Sequence, residues 1–258
     1  MNTFFLDRLN GEPHALAFAG QSTPWPVALT DQSANPVLNE ALHAHADAAQ
    51  ALLYLHDALP ILLATTGRPV DLFGFEPNPA RLGAAAAASA SVPGIALAQL
   101  GALLDAASLG YNPAVAKPVA VLGHSQGVLA VHMVQSIVEA GSIEAASAQI
   151  DEILAIATLI GVAGTRQARQ LGLAARHGEA TPMLSVKDIT RAQVDALIKR
   201  VSGARGPIAV AVTNSATHYV LSGYPEDLAA FGVEVAKEHK HQAKLREEKV
   251  RGGRVFEP

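Results

Sequence analysis

The sequence predicts an α/β fold: a large N-terminal part with a mainly parallel sheet, and a smaller module inserted after about residue 180. Residues 117–122 form a short apolar run, typical of a parallel strand buried on both faces, and a glycine-flanked turn and an apolar helical run follow it at once. Beyond Pro182 the pattern changes to strand, helix, strand, strand, helix. A chain of 258 residues is long enough to build both parts.

The N-terminal part is predicted to contain short strands and longer apolar helices. Pro93 is expected near the first turn of one helix and Gly110 just past its end, while Gly141 ends another. Pro60 should break a third. The predicted elements are a strand at 14–19, helical regions at 39–63 and 95–109, the strand at 117–122, and helices at 128–140 and 146–171.

The C-terminal part is predicted to be a ferredoxin-like module that lacks its final strand, because its elements follow the order βαββα. Its predicted strands are 183–186, 208–213 and 218–222, and its predicted helices are 190–201 and 225–238. We therefore divide the chain into a large subdomain at 1–180, a ferredoxin-like subdomain at 181–240 and an incomplete return segment at 241–258.

The composition excludes several kinds of site and partner. The chain has no cysteine, which excludes disulfides, cysteine metal sites and cysteine nucleophiles. A net charge of −4 gives no basic footprint for nucleic acid. Residues 1–10 lack the apolar core of a signal peptide, and apolar stretches such as 95–104 are far shorter than the roughly 20 residues of a membrane span. We expect a soluble cytoplasmic protein that binds neither nucleic acid nor membranes.

Residues 123–127 read Gly-His-Ser-Gln-Gly and carry the clearest chemical signal. A serine hydroxyl becomes a nucleophile when a base takes its proton and a tight turn holds it clear of its neighbours. Glycines two residues before and after the serine permit such a turn, and the following helix N-terminus directs backbone N–H groups at an oxyanion. The pattern predicts Ser125 as the nucleophile, but it fits a serine hydrolase as well as an acyltransferase.

Three segments in order resemble one family. The motif at 123–127 is similar to the nucleophile motif of acetyltransferase (acyl-loading) domains in fungal and bacterial type I fatty acid synthases, members of the malonyl/acyl-CoA:acyl-carrier-protein transacylase superfamily. Residues 18–21, Phe-Ala-Gly-Gln, resemble the family's N-terminal strand and loop, and residues 214–223 resemble a hairpin of its ferredoxin-like subdomain. Malonyl-specific relatives usually carry an acid where this chain has Val128.

The resemblance implies a fold and a reaction. The fold is an α/β-hydrolase-like large subdomain with an inserted ferredoxin-like subdomain. Ser125 would take an acetyl group from acetyl-CoA and pass it to the phosphopantetheine thiol of an acyl carrier domain, with the backbone N–H groups of Gln126 and Gln21 stabilising the oxyanion. The step needs no metal or bound cofactor, and the partners would be the carrier and the other synthase domains.

Selectivity is predicted from an arginine that the family uses to pair with malonyl carboxylates. Ile160 is the best placement for that position, and His124 is expected to help line the acyl pocket. An unpaired malonate charge is costly to bury, so a dry pocket at Ile160 should favour acetyl-CoA by at least about 100-fold. Arg166, about two turns further on, is expected to be a solvated helix-end charge.

The histidines are expected to play other roles than the base. His218 lies in the hairpin motif and is predicted to make structural hydrogen bonds, whereas histidines 43, 45, 239 and 241 lie in polar helical runs and should be solvated. The family's base is a histidine that follows a segment like residues 250–256, so we expect this chain to stop before it. A serine hydrolase and an inactive scaffold fragment of the synthase remain alternatives.

Residues 54–61 interrupt the family resemblance. They read Tyr-Leu-His-Asp-Ala-Leu-Pro-Ile, place a proline in a helical pattern and resemble a translated sequencing-adaptor string. We expect that this stretch is not native sequence; the alternative is an ordinary helix–loop junction.

Overall fold

A computed structural model describes residues 8–20, 24–55, 88–170, 183–201 and 206–252. The chain divides into two compact units, Met1–Gln170 and Leu171–Pro258. The predicted subdomain boundary at 180/181 lies near this division, but residues 171–182 are outside the described part, so the predicted boundaries stay predictions.

Besides a helical turn at 8–11, the first unit has two short strands and six helices whose bounds lie within the described ranges. Its strands are β1 (Ala15–Phe18) and β2 (Ala120–Gly123), and its helices are α1 (Trp25–Ser33), α2 (Pro36–Leu55), α3 (Ala88–Ser108), α4 (Pro113–Ala116), α5 (Gly127–Ala140) and α6 (Ser147–Gln170). The short helices α1 and α4 were not predicted. Both begin at or just before a proline in the first turn, in stretches too short to show a helical period.

The two strands pair in parallel, with Ala15 opposite Ala120 and Phe18 opposite Gly123. Their carboxyl ends therefore lie at the same edge, and the segments that follow them meet there. The prediction that residues 117–122 are buried on both faces is wrong: Val119 is 71% and Leu122 60% exposed. In the described part of the chain, β2 has one hydrogen-bonded neighbour, β1, and these side chains remain in solvent.

Helix α3 forms the centre of the first core, with Ile95, Leu97 and Leu100 fully buried. It begins at Ala88 and not at the predicted Ile95, so Pro93 lies inside it. The neighbouring Gly94 leaves room for the Trp25 ring, because a Cβ there would lie 2.6 Å from Trp25 Cδ2.

Two described helices, Ala88–Ser108 and Ser147–Gln167, are long and apolar enough to cross a membrane by length and composition alone. The apolar window of the first is 72% buried inside the protein and that of the second 44%. The sequence did not predict such helices, because each helix is longer than the uninterrupted apolar stretches that it contains. A buried core helix has the same composition, and the absence of a membrane partner stays a prediction.

One polar contact joins two core helices. The Nδ1 of His45 on α2 lies in hydrogen-bonding distance of Oδ1 of Asp151 on α6, at 2.6 Å, and the two side chains are only 11% and 15% exposed. The prediction that His45 is solvated is therefore wrong, because the polar face of α2 packs against α6.

The second unit follows the predicted order of elements: β3 (Met183–Lys187), α7 (Arg191–Val201), β4 (Ala209–Ser215), β5 (His218–Ser222) and α8 (Pro225–Gly252). The strands form an antiparallel sheet in the order β3-β5-β4. Val186, Leu221 and Phe231 lie in a core between the sheet and the helices. The ferredoxin-like assignment itself stays a prediction.

Helix α8 crosses the predicted boundary at 240/241 and ends at Gly252, well beyond the predicted end at residue 238. No glycine or proline interrupts residues 233–251, which are rich in good helix formers. Along this helix Glu238 accepts hydrogen bonds from Gln242 at 2.9 Å and from Gln193 on α7 at 3.0 Å. These two bonds, the first above all, lower the pKa of the Glu238 carboxyl. His239, predicted to be solvated, has its Nε2 buried.

Candidate active site

The turn between β2 and α5 holds Ser125 in a strained conformation. Its φ is +54°, in the left-handed region that non-glycine residues rarely adopt, and the residue is exposed. Its backbone carbonyl accepts a hydrogen bond from the N–H of Val128, the second residue of the helix, at 3.2 Å. The serine therefore stands at the tip of a sharp strand-to-helix turn.

The two glycines of the motif are required by close packing. A Cβ at Gly123 would lie 2.6 Å from the carbonyl carbon of Gly127 and from the backbone nitrogen of Val128. A Cβ at Gly127 would overlap the carbonyl oxygen of Phe18. Any side chain at either position would open the turn or push it away from β1.

The loop after β1 lies directly on this turn. The His124 N–H donates to the Phe18 carbonyl at 3.0 Å. A Cβ at Gly20 would lie 2.7 Å from the His124 carbonyl oxygen, 2.8 Å from Ser125 Cβ and 3.4 Å from the Gln126 nitrogen. The structure thus brings residues 18–20 against Ser125 and Gln126. Gln21, the predicted second oxyanion donor, lies outside the described residues.

Gln126, predicted as an oxyanion donor, lies at the start of helix α5, and this role stays a prediction. Its backbone N–H precedes the first residue of the 14-residue helix α5, and no hydrogen bond to another described residue occupies it. A helix N-terminus also carries a partial positive charge that favours an anion. Among the described residues, this backbone donor therefore has no hydrogen-bond partner, one residue after Ser125.

The predicted pocket residues are exposed. His124 is exposed beside Ser125, and Ile160 on α6 is 51% exposed. The described residues therefore do not enclose Ile160 in the dry pocket that was expected there. Arg166 is exposed, as predicted for a solvated charge.

The base for Ser125 is not among the described contacts, since no described residue makes a hydrogen bond with its hydroxyl. In the second unit, His218 Nε2 lies 2.9 Å from Ser185 Oγ and 3.4 Å from Asn214 Nδ2, so its predicted hydrogen bonding is confirmed. Within the described ranges no three His, Asp or Glu side chains are grouped as metal ligands. The expectation that the reaction needs no metal stays a prediction.

Gln99 is a residue that the sequence reasoning missed. It lies in α3, is 7% exposed, and its Nε2 donates to the carbonyl of Ala19 at 2.6 Å. The available signal was a glutamine inside the apolar run 95–104, where a buried amide needs a partner.

Comparison with solved structures shows the class of fold. The chain is similar to the acyl-carrier-protein-S-malonyltransferase from Bartonella henselae, with a TM-score of 0.51 and 17% identity over 88% of this chain and 60% of that one. It is also similar to the malonyl CoA-acyl carrier protein transacylase from Coxiella burnetii, with a TM-score of 0.54 and 18% identity over 88% of this chain and 58% of that one. The chain thus has the mixed α/β fold of these transacylases and spans about 60% of their length.

Part of the second unit also matches a protein family by sequence. Residues 182–258 match the family model described as the fatty acid synthase central AT domain. No curated protein matches the chain. Together the fold and this match confirm the resemblance to the transacylase superfamily and, for residues 182–258, to fatty acid synthases.

Proposed function

We propose that this chain is an acyl-loading transferase domain of a type I fatty acid synthase, which moves an acetyl group from acetyl-CoA to an acyl carrier domain through an ester on Ser125. The observation that carries the proposal is the turn at Ser125. Its backbone is in the left-handed conformation, close packing requires the glycines at 123 and 127, and the adjacent Gln126 N–H has no hydrogen-bond partner among the described residues. This arrangement suits attack on a carbonyl carbon and stabilisation of the resulting oxyanion.

The reaction has two half-steps. A base takes the Ser125 proton while Oγ attacks the thioester carbonyl, and the tetrahedral oxyanion accepts hydrogen bonds from the backbone N–H groups of Gln126 and Gln21. The carbon–sulfur bond then breaks, coenzyme A leaves as the thiol after taking the proton, and acetyl remains on Ser125. The carrier's phosphopantetheine thiol attacks this ester by the same steps in reverse order. The base is a group that the described contacts do not supply.

Transfer to a carrier thiol is favoured over hydrolysis by the second unit. The βαββα order of its elements and the family match at 182–258 are those of an acyltransferase, whereas a serine hydrolase would have its acid and histidine in a strand-rich C-terminal half. The fold's relatives are named for acyl carrier protein, which supports a carrier as the acceptor.

Acetyl rather than malonyl is proposed as the group carried. Ile160 offers no positive charge for a malonyl carboxylate, and Val128 stands where malonyl-specific relatives carry an acid. Because Ile160 is half exposed, the carboxylate would keep part of its hydration, and the preference should be nearer tenfold than 100-fold. His124 is proposed to line the same pocket.

The test is a chase experiment on the complete protein. Protein acetylated with labelled acetyl-CoA is freed of coenzyme A and mixed with a carrier protein that bears phosphopantetheine, or with buffer alone. The proposal predicts that label moves to the carrier thiol much faster than it appears as free acetate. Rapid release of acetate in buffer would identify a hydrolase, and no labelling at all would favour a non-catalytic scaffold.

A further inference from the structure

The side chain of Gln99 connects the core helix α3 to the loop beside the candidate nucleophile. Its Nε2 donates to the Ala19 carbonyl at 2.6 Å, and Ala19 immediately follows β1. Among the described residues, this amide is the hydrogen-bond partner of that carbonyl. Because Gln99 is 7% exposed and lies on the core helix α3, its amide attaches the loop to the core of the first unit.

Stability alone does not explain a glutamine at this position. Its Oε1 is buried with no hydrogen-bond partner in the described structure. One hydrogen bond gained and one buried acceptor left unpaired roughly cancel, so leucine or methionine would fill the same volume at no clear loss. The residue therefore contributes position rather than stability.

The loop that Gln99 holds is the one packed on the active-site turn. The next residue, Gly20, is so close to Ser125 and Gln126 that a Cβ there would lie 2.8 Å from Ser125 Cβ and 3.4 Å from the Gln126 nitrogen. Without this bond the loop would lose its hydrogen bond to α3, and its distance from the turn could increase.

We infer that Gln99 is a positioning residue for the oxyanion site, because its amide holds residues 19–20 against the turn that carries Ser125 and the Gln126 N–H. This inference rests on the proposed function. It adds a residue of α3 that touches neither substrate nor nucleophile.

The chain offers a matched control in Gln32. This glutamine of α1 also donates through Nε2 to a backbone carbonyl, that of Ala98 at 3.0 Å, and its Oε1 is also buried without a partner. Its acceptor belongs to helix α3 and not to the active-site loop. Gln32→Leu therefore removes the same kind of bond from the same core without releasing the loop.

The experiment measures the rate at which Ser125 is acetylated by acetyl-CoA in the complete protein. Gln99→Leu should slow the maximal acetylation rate about 100-fold, the usual effect of losing an oxyanion donor, with little change in the acetyl-CoA concentration at half-maximal rate. Gln32→Leu should change the melting temperature by a similar, small amount and leave the rate within about threefold. Gln99→Glu keeps the shape, and its buried carboxyl can donate only when protonated, so its rate relative to wild type should rise as the pH falls.

Equal rates for Gln99→Leu and Gln32→Leu, or a Gln99→Glu rate that tracks wild type at every pH, would overturn this inference while leaving the proposed function intact. Failure of the wild-type protein to acetylate Ser125 would overturn the proposed function, and the inference with it.

Discussion

Replacing Gly20 by alanine tests whether the loop after β1 and the serine turn work as one site. The added Cβ would lie 2.7 Å from the His124 carbonyl oxygen and 2.8 Å from Ser125 Cβ. Ordinary contact begins at 3.4 Å, so the loop and the turn must separate by about 0.7 Å or the turn must deform. Gly20 does not have a positive φ, and the effect of the substitution is therefore one of contact and not of backbone strain.

A shift of this size should affect catalysis more than folding. Overpacking typically costs about 1–3 kcal/mol of stability. Displacing an oxyanion donor costs about 100- to 1,000-fold in rate, and a misplacement of about 1 Å alone can cost about 100-fold. We expect Gly20→Ala to acetylate Ser125 about 100-fold more slowly than wild type while still unfolding cooperatively.

The assay is the single-turnover acetylation rate, followed by mass spectrometry, alongside a thermal melt. Gly11→Ala is the control, because a Cβ at Gly11 meets no atom within 4 Å. A Gly20→Ala protein that acetylates at the wild-type rate would refute the coupling of the loop to Ser125.

Four further outcomes are expected. Ile160→Arg should raise malonyl labelling of the protein about tenfold relative to acetyl labelling in a competition assay, since a half-exposed ion pair is modest. Asp151→Ala should lower the free energy of unfolding by about 2 kcal/mol in urea titrations, because it leaves His45 without its partly buried partner. The hydrogen bonds from Gln242 and Gln193 lower the pKa of Glu238 in the folded state. The stabilisation that the Glu238 carboxylate gives to the fold is therefore complete above its unfolded pKa of about 4.3 and is lost as the pH falls through the lower folded pKa. Glu238→Ala should destabilise the second unit at pH 7 and not at about pH 2. Amplification of the source DNA should fail to return the codons of residues 54–61 in place; finding them intact would remove that suspicion.

Elements marked by local chemistry were predictable from the sequence. The strands β1, β3 and β5 and the helices α5 and α6 begin and end within two residues of their predicted bounds. Gly110 and Gly141 adopt the positive φ, +96° and +91°, expected just after a helix. The steric need for glycine at 123 and 127 also follows from the motif alone. These features depend on neighbours a few residues away.

Features that depend on distant contacts were not predictable. Residues 88–94 form the start of α3 although they contain proline and glycine, because the Ser89 N–H donates to Thr165 Oγ1 at 2.8 Å and Ala88 packs on Gly161. The partner of His45 lies 106 residues away, and that of Gln99 lies 80 residues away. No local sequence pattern connects such distant positions. The contact of Gln99 with the loop beside the candidate nucleophile could therefore be found only in the structure.

The most direct test of the account is the location of the acyl group after the complete protein meets acetyl-CoA. Rapid acid quenching, proteolysis and mass spectrometry would find the acetylated peptide, with Ser125→Ala as the control. The account predicts one acetyl group per chain, attached through an ester to Ser125 and absent from Ser125→Ala. Acetylation that maps to another residue, or that persists in Ser125→Ala, would contradict it.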